Sequence, residues 1–109
     1  MPNAVLAVAA TRKLREIAKR KVLFGEMVQA ESGWALLLWI LVLETDRVEL
    51  TLALLCQKAG MDTRAGERWL ALLGNGQLID LERGIDGRAI VMIKLTTTGR
   101  EKLALALQA

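Results

Sequence analysis

The chain has no histidine and no tyrosine, and one cysteine, one proline and one phenylalanine among its 109 residues. Without histidine it lacks the usual metal ligand and the usual general base, so zinc sites and nucleophilic triads fail on inventory alone. A lone Cys56 cannot close an internal disulfide. These absences predict no enzyme, no metal and no cofactor. Aromatic residues make up 4% of the chain while 53% is hydrophobic, so packing must be mostly aliphatic. Long apolar runs are missing as well. The longest, Trp34 to Leu43, is about half of what a bilayer crossing needs, so it reads as a core helix. No charged leader precedes the apolar stretch Ala4 to Ala10, and no cleavage pattern follows it, which predicts a cytoplasmic protein.

What remains is enough for one compact domain and no second. The apolar fraction exceeds what a small monomer easily hides, which predicts a homodimer. A net charge of +3 permits nucleic-acid binding without requiring it.

Along the chain, Asn3 is placed to cap a first helix running to about Gln29. On it Ala7, Ala10, Leu14, Ile17, Lys21, Phe24 and Val28 share one seven-residue seam, which wants a partner helix. Arg12, Lys13, Arg15, Lys19 and Arg20 lie between, Lys21 is the one polar residue of the seam itself, and Glu16 is the one acid among them. They read either as a solvated helix face or as a patch near phosphate. Ser32 is expected to cap a central, nearly all-apolar helix from Gly33 to about Glu44, and Val48 to Leu50 to form a short strand. Thr51 then caps Leu52 to Ala59, which Gly60 stops.

After Met61, Asp62 or Thr63 caps a helix to about Leu73 that is expected to bury Ala65, Trp69, Leu72 and Leu73 and to show Arg64, Glu67, Arg68 and Ala71. Two helices joined through Ala59 to Asp62 make a helix-turn-helix by length and turn chemistry. Strands at Leu78 to Glu82 and Ala89 to Leu95 flank a turn at Gly84 to Gly87, and Thr96 caps a last helix carrying Leu103, Leu105 and Leu107. The expected fold is mainly α with a small β-hairpin. It comprises a three-helix core, a long N-terminal helix over residues 1–31 that dimerises, and a short C-terminal helix, with 32–109 forming the body of a single compact domain.

Leu55, Gly60, Trp69, Leu78-Ile79, Asp86-x-Arg88 and Leu95-Thr96-x-x-Gly99, in that order, resemble the winged helix-turn-helix of MarR-type regulators over roughly residues 32 to 105. The resemblance implies a dimer on pseudo-palindromic duplex DNA, with the Thr63 helix in the major groove and the wing, through Arg88, in the minor groove. Thr63, Arg64, Glu67 and Arg68 on that helix, and Arg83, Asp86 and Arg88 on the wing, are then the DNA-facing set. Arg68 has the reach for guanine or phosphate, and Asp86 is placed to steady the Arg88 guanidinium. The family has glycine immediately before the Leu-Ile; here Gln77 stands there and Gly76 precedes it. With no long C-terminal helix pair in the sequence, dimerisation is expected through Leu14, Ile17, Phe24, Val28, Leu103 and Leu107.

Plainer readings stand beside these. Trp34, Trp39 and Trp69 have core spacing, Cys56 among Leu54, Leu55 and Ala59 reads as a buried inert thiol, and Asp86 with Gly87 makes a turn on its own account. The same scaffold also serves as a protein-interaction module without DNA, an alternative that Glu67 and the modest charge favour. An effector ligand fits the family but rests on no residue here.

Overall fold

The computed structural model describes residues 3–25 and 31–107. In order these form α1 (Asn3–Phe24), α2 (Glu31–Thr45), α3 (Leu52–Ala59), α4 (Thr63–Asn75), β1 (Ile79–Arg83), β2 (Ile90–Leu95) and α5 (Thr97–Leu107). The chain is therefore mainly helical with one antiparallel hairpin. Apolar on almost every side, α2 becomes the centre of the core: Leu36, Leu37, Ile40 and Leu43 are buried, and Leu55, Leu70, Leu73, Leu78, Ile79, Ile93, Leu95 and Leu103 close around them. No helix among the described residues is long and apolar enough to cross a membrane.

Short-range chemistry sets most helix limits. The Thr51 hydroxyl accepts from the Leu54 N–H at 3.1 Å, and Asp62 Oδ1 accepts from the Ala65 N–H at 2.8 Å, so each satisfies an otherwise unpaired donor of a first turn. Asp62, of the two residues expected, is the cap of α4. Gly25 turns left-handed and its N–H returns to the Lys21 carbonyl, which closes α1 at Phe24, while the expected end near Gln29 lies outside the described residues. Because α2 begins at Glu31, Ser32 lies in its first turn and not at its cap.

Three helices close with the same double hydrogen bond, in which a left-handed residue and its successor return to carbonyls of the last turn. For α3 the left-handed residue is Gly60, with Met61 N–H bonded to the Cys56 carbonyl at 3.0 Å. For α2 it is Arg47, at φ 59°, and for α4 it is Gln77, at φ 62°. Leu78 N–H reaches the Leu73 carbonyl at 3.1 Å and Gln77 N–H reaches that of Gly74 at 3.0 Å, so the motif is complete although its key position carries a side chain. Left-handed backbone costs a residue with a Cβ about 1–2 kcal/mol, part of which glycine's greater freedom in the unfolded chain offsets. Gln77→Gly should therefore stabilise the protein by about 0.5–1 kcal/mol, read as a higher urea midpoint with unchanged slope; a lower midpoint would contradict this account.

In the hairpin, Ile79 faces Leu95, Asp80 faces Lys94 and Leu81 faces Ile93. The register then shifts between Glu82 and Arg83, where Val91 is the extra residue of a bulge. Ile79, Ile93 and Leu95 point into the core, while Asp80 and Lys94 stand opposite each other in register on the outer face. The expected strand at Val48 to Leu50 does not form; the Val48 N–H instead returns to the Leu43 carbonyl at the end of α2. The strand's place on β2 is taken by a side chain. Glu44, at the end of α2, accepts the Leu95 N–H on Oε2 at 3.1 Å and the Arg100 guanidinium on Oε1, so one carboxylate ties α2, β2 and α5 together.

The junction of hairpin and last helix explains the Leu-Thr-x-x-Gly pattern. Thr96 donates its N–H to the Leu78 carbonyl at 3.1 Å and its hydroxyl to the Gln77 carbonyl at 2.6 Å, and the hydroxyl accepts from Gly99 N–H at 2.8 Å. Gly99 itself lies so close to the Leu78 main chain that a Cβ there would overlap the carbonyl oxygen. The start of α5 is thus clamped onto the start of β1.

Candidate nucleic-acid interface

Helices α3 and α4 approach through their smallest side chains. Cys56 on α3 sits directly over Gly66 on α4, where a Cβ would overlap Sγ. This contact turns α4 by about one residue from the orientation that apolar spacing alone suggests. Gly66, Leu70 and Leu73 are its buried line. Of the residues expected to be buried, Trp69 is only half-buried and Leu72 is exposed, because the glycine and not the larger side chains takes the tightest position.

The rotation has a consequence for charge. Helical periodicity places Arg64, Arg68 and Asn75 opposite the buried line, with Ala71 beside them. Both arginines are exposed and neither makes an ion pair with a described residue. Glu67 lies about a quarter-turn away and is half-buried. Its charge reaches Cys56: burial, then Asp62, then Glu67 push the thiol above its ordinary value. The thiol is buried, as its surroundings in sequence suggest, and its neighbours favour the protonated form. Thr63 is exposed in the first turn of α4, beside the Asp62 carboxylate that caps the helix and already takes the Ala65 N–H.

The hairpin supplies the other arginines. Gly84 N–H bonds to the Ala89 carbonyl and Gly87 N–H to the Gly84 carbonyl, both at 2.8 Å, closing the tip. Arg83 Nη1 donates to the Arg88 carbonyl at 3.0 Å, so the two arginines meet across the hairpin. Asp86 does not grip the Arg88 guanidinium as expected. Its Oδ1 accepts the Arg88 main-chain N–H at 3.0 Å, a shorter path to the same residue, which leaves the guanidinium exposed and without an ion partner among the described residues. Residues 32–109 carry nine basic and nine acidic side chains, so the whole surplus of three positive charges sits on residues 1–31, which hold six basic and three acidic. Charge attraction over the body is therefore local, through positioned arginines, with α1 providing the diffuse component.

The expected dimer residues divide. Phe24 and Leu103 are buried within the chain, Phe24 edge-on to Trp34 at 5.6 Å between ring centres. Arg20 covers that Trp34 ring at 5.0 Å, and Lys58 lies 5.5 Å from the Trp39 ring, so these tryptophans serve packing. Leu14, Ile17 and Leu107 face outward, the first two 65% and 48% exposed, and Val28 lies outside the described residues. Beside them α1 and α5 form an open apolar groove of about 400 Å³ lined by Ala18, Lys19, Val22, Leu23 and Leu105. Among the described residues no cluster of side chains is suited to a metal. No family model, curated protein or solved structure matches the chain.

Proposed function

We propose that the protein is a small MarR-like winged helix that acts in the cytoplasm as a homodimeric, sequence-specific regulator on duplex DNA. The observation that carries this reading is the set of exposed guanidiniums without ion partners among the described residues: Arg64 and Arg68 on the outward face of α4, and Arg88 on the hairpin. Arginines one turn apart on an exposed helix face match the edges of guanines or successive phosphates in a major groove, and an arginine on a narrow hairpin matches a minor groove. The Thr63 hydroxyl reaches phosphate from the first turn of α4, Arg83 supports the hairpin from its other arm, and the quarter-turn offset of Glu67 keeps its charge off the centre of the reading face. The seam of Leu14 and Ile17, with Leu107 and the α1–α5 groove, takes a second copy of the chain. The basic residues from Arg12 to Lys21 add salt-dependent attraction to the phosphate backbone.

Arg88→Ala should weaken binding about tenfold to a duplex enriched by random-site selection, and wild-type affinity should fall steeply with salt. Unchanged affinity would remove the hairpin from the interface. A protein-interaction role is the second reading, favoured by the balanced charge of residues 32–109 and by the exposed Leu72 and Met92.

A further inference from the structure

The apex of the β-hairpin is an apolar side chain that no described residue covers. Ile85 is 111% exposed, and Val91, the extra residue of the bulge behind it, is 60% exposed. A single exposed aliphatic residue is ordinary. Here it is held at the apex of a closed turn. The Gly84–Ala89 and Gly87–Gly84 main-chain bonds, the Asp86 bond to Arg88 N–H and the Arg83 bond to the Arg88 carbonyl fix the backbone on both sides of it. β-Branching then restricts its own rotamers, so little freedom is lost on contact. The two arms carry Arg83 and Arg88, and the one acid of the loop, Asp86, has its carboxylate on a main-chain N–H. A rigid aliphatic point between two cations is complementary to a polyanion whose groove has apolar walls.

Resting on the DNA reading above, we propose that Ile85 is a specificity residue that enters the minor groove beside the major-groove site and selects A·T pairs there. The walls of that groove are sugar C–H groups. Its floor carries only acceptors at A·T pairs, whereas guanine projects a 2-amino donor from it. An isoleucine side chain offers that donor no acceptor and occupies the space it needs, so a G·C flank meets both a steric and a desolvation cost. Arg88, with Arg83 bonded to its carbonyl, flanks Ile85 at the mouth of the groove, where phosphates of both strands are within reach. Apolar wedges of this kind also unstack or bend the base step they enter.

The test uses duplexes that share a core enriched by random-site selection and differ only in the flank under the hairpin, built from A·T, inosine·cytosine or G·C pairs. Inosine·cytosine keeps the G·C major-groove face but removes the minor-groove amino group. Wild-type protein should bind A·T and inosine·cytosine flanks alike and G·C flanks about tenfold more weakly, as expected for about 1.4 kcal/mol of discrimination. Ile85→Ser should bring that ratio close to one while leaving the core preference intact. Arg88→Ala should instead weaken all three duplexes together. Duplex binding with no flank preference, an inosine·cytosine flank that behaves like G·C, or a ratio unchanged in Ile85→Ser would overturn the proposal and leave the DNA reading standing; the last is also the result expected if the tip serves a protein partner. Failure to bind any duplex would overturn both.

Discussion

Gly99→Ala should cost about 3 kcal/mol or more, at the upper end of what overpacking does, because the added methyl meets main chain and not a side chain that can turn aside. The overlap is with the Leu78 carbonyl, which already accepts the Thr96 N–H, and Leu78 is itself the residue that closes the end of α4. Relief would require α5 to lift from β1 or the end of α4 to open, and either move breaks several bonds at once. For a domain of this size the melting temperature should fall by roughly 15 °C. Thr98→Ala, an exposed change one residue away, should stay within about 0.5 kcal/mol and controls for altered helix propensity. Gly99→Ala melting with the wild type would mean that the clamp between α5 and β1 is not tight.

The second large effect is conditional. Gly66→Ala should destabilise by about 2 kcal/mol although alanine favours helix by about 1 kcal/mol, because its methyl overlaps the buried Cys56 sulfur. In a Cys56→Ala background the sulfur is gone, and the same substitution should become neutral or stabilising. A coupling of about 1–3 kcal/mol from a double-mutant cycle in urea is the signature of direct contact. Additive effects would contradict the close packing of α3 on α4, and with it the rotation that moves Glu67 off the centre of the outward face.

Features decided by short-range chemistry were legible in the sequence. Thr51, Gly60, Asp62 and Thr96 set helix ends because a hydroxyl, a carboxylate or a missing Cβ acts within four residues. The apolar monotony of α2 made it central, and the two strands alternate as a half-buried hairpin should. What stayed hidden depended on partners distant in sequence or on a residue doing an unusual task. Glu44 occupies the edge of β2 from 51 residues away, so Val48 to Leu50 form no strand where strand propensity alone favours one. Arg47 and Gln77 end helices in a conformation that glycine normally signals. The face of α4 was displaced because close approach favours Gly66, whereas a hydrophobic pattern gives weight to Trp69 and Leu72. In the candidate site, the residue types and their elements were readable. Two details that bear on recognition were not: the Asp86 carboxylate binds main chain, and Glu67 lies off the centre of the outward face.

The central claim is that the outward face of α4 and the hairpin read duplex DNA as a dimer. It is tested most directly by random-site selection with the purified protein, joined to the mass of the free and bound species and repeated with the Arg64→Ala, Arg68→Ala double variant. The account predicts a species of twice the 12.0 kDa chain mass, an enriched inverted repeat whose half-sites lie about ten base pairs apart, and loss of that enrichment in the double variant. A monomer that enriches no sequence, or an enriched site that the double variant binds equally well, would contradict it.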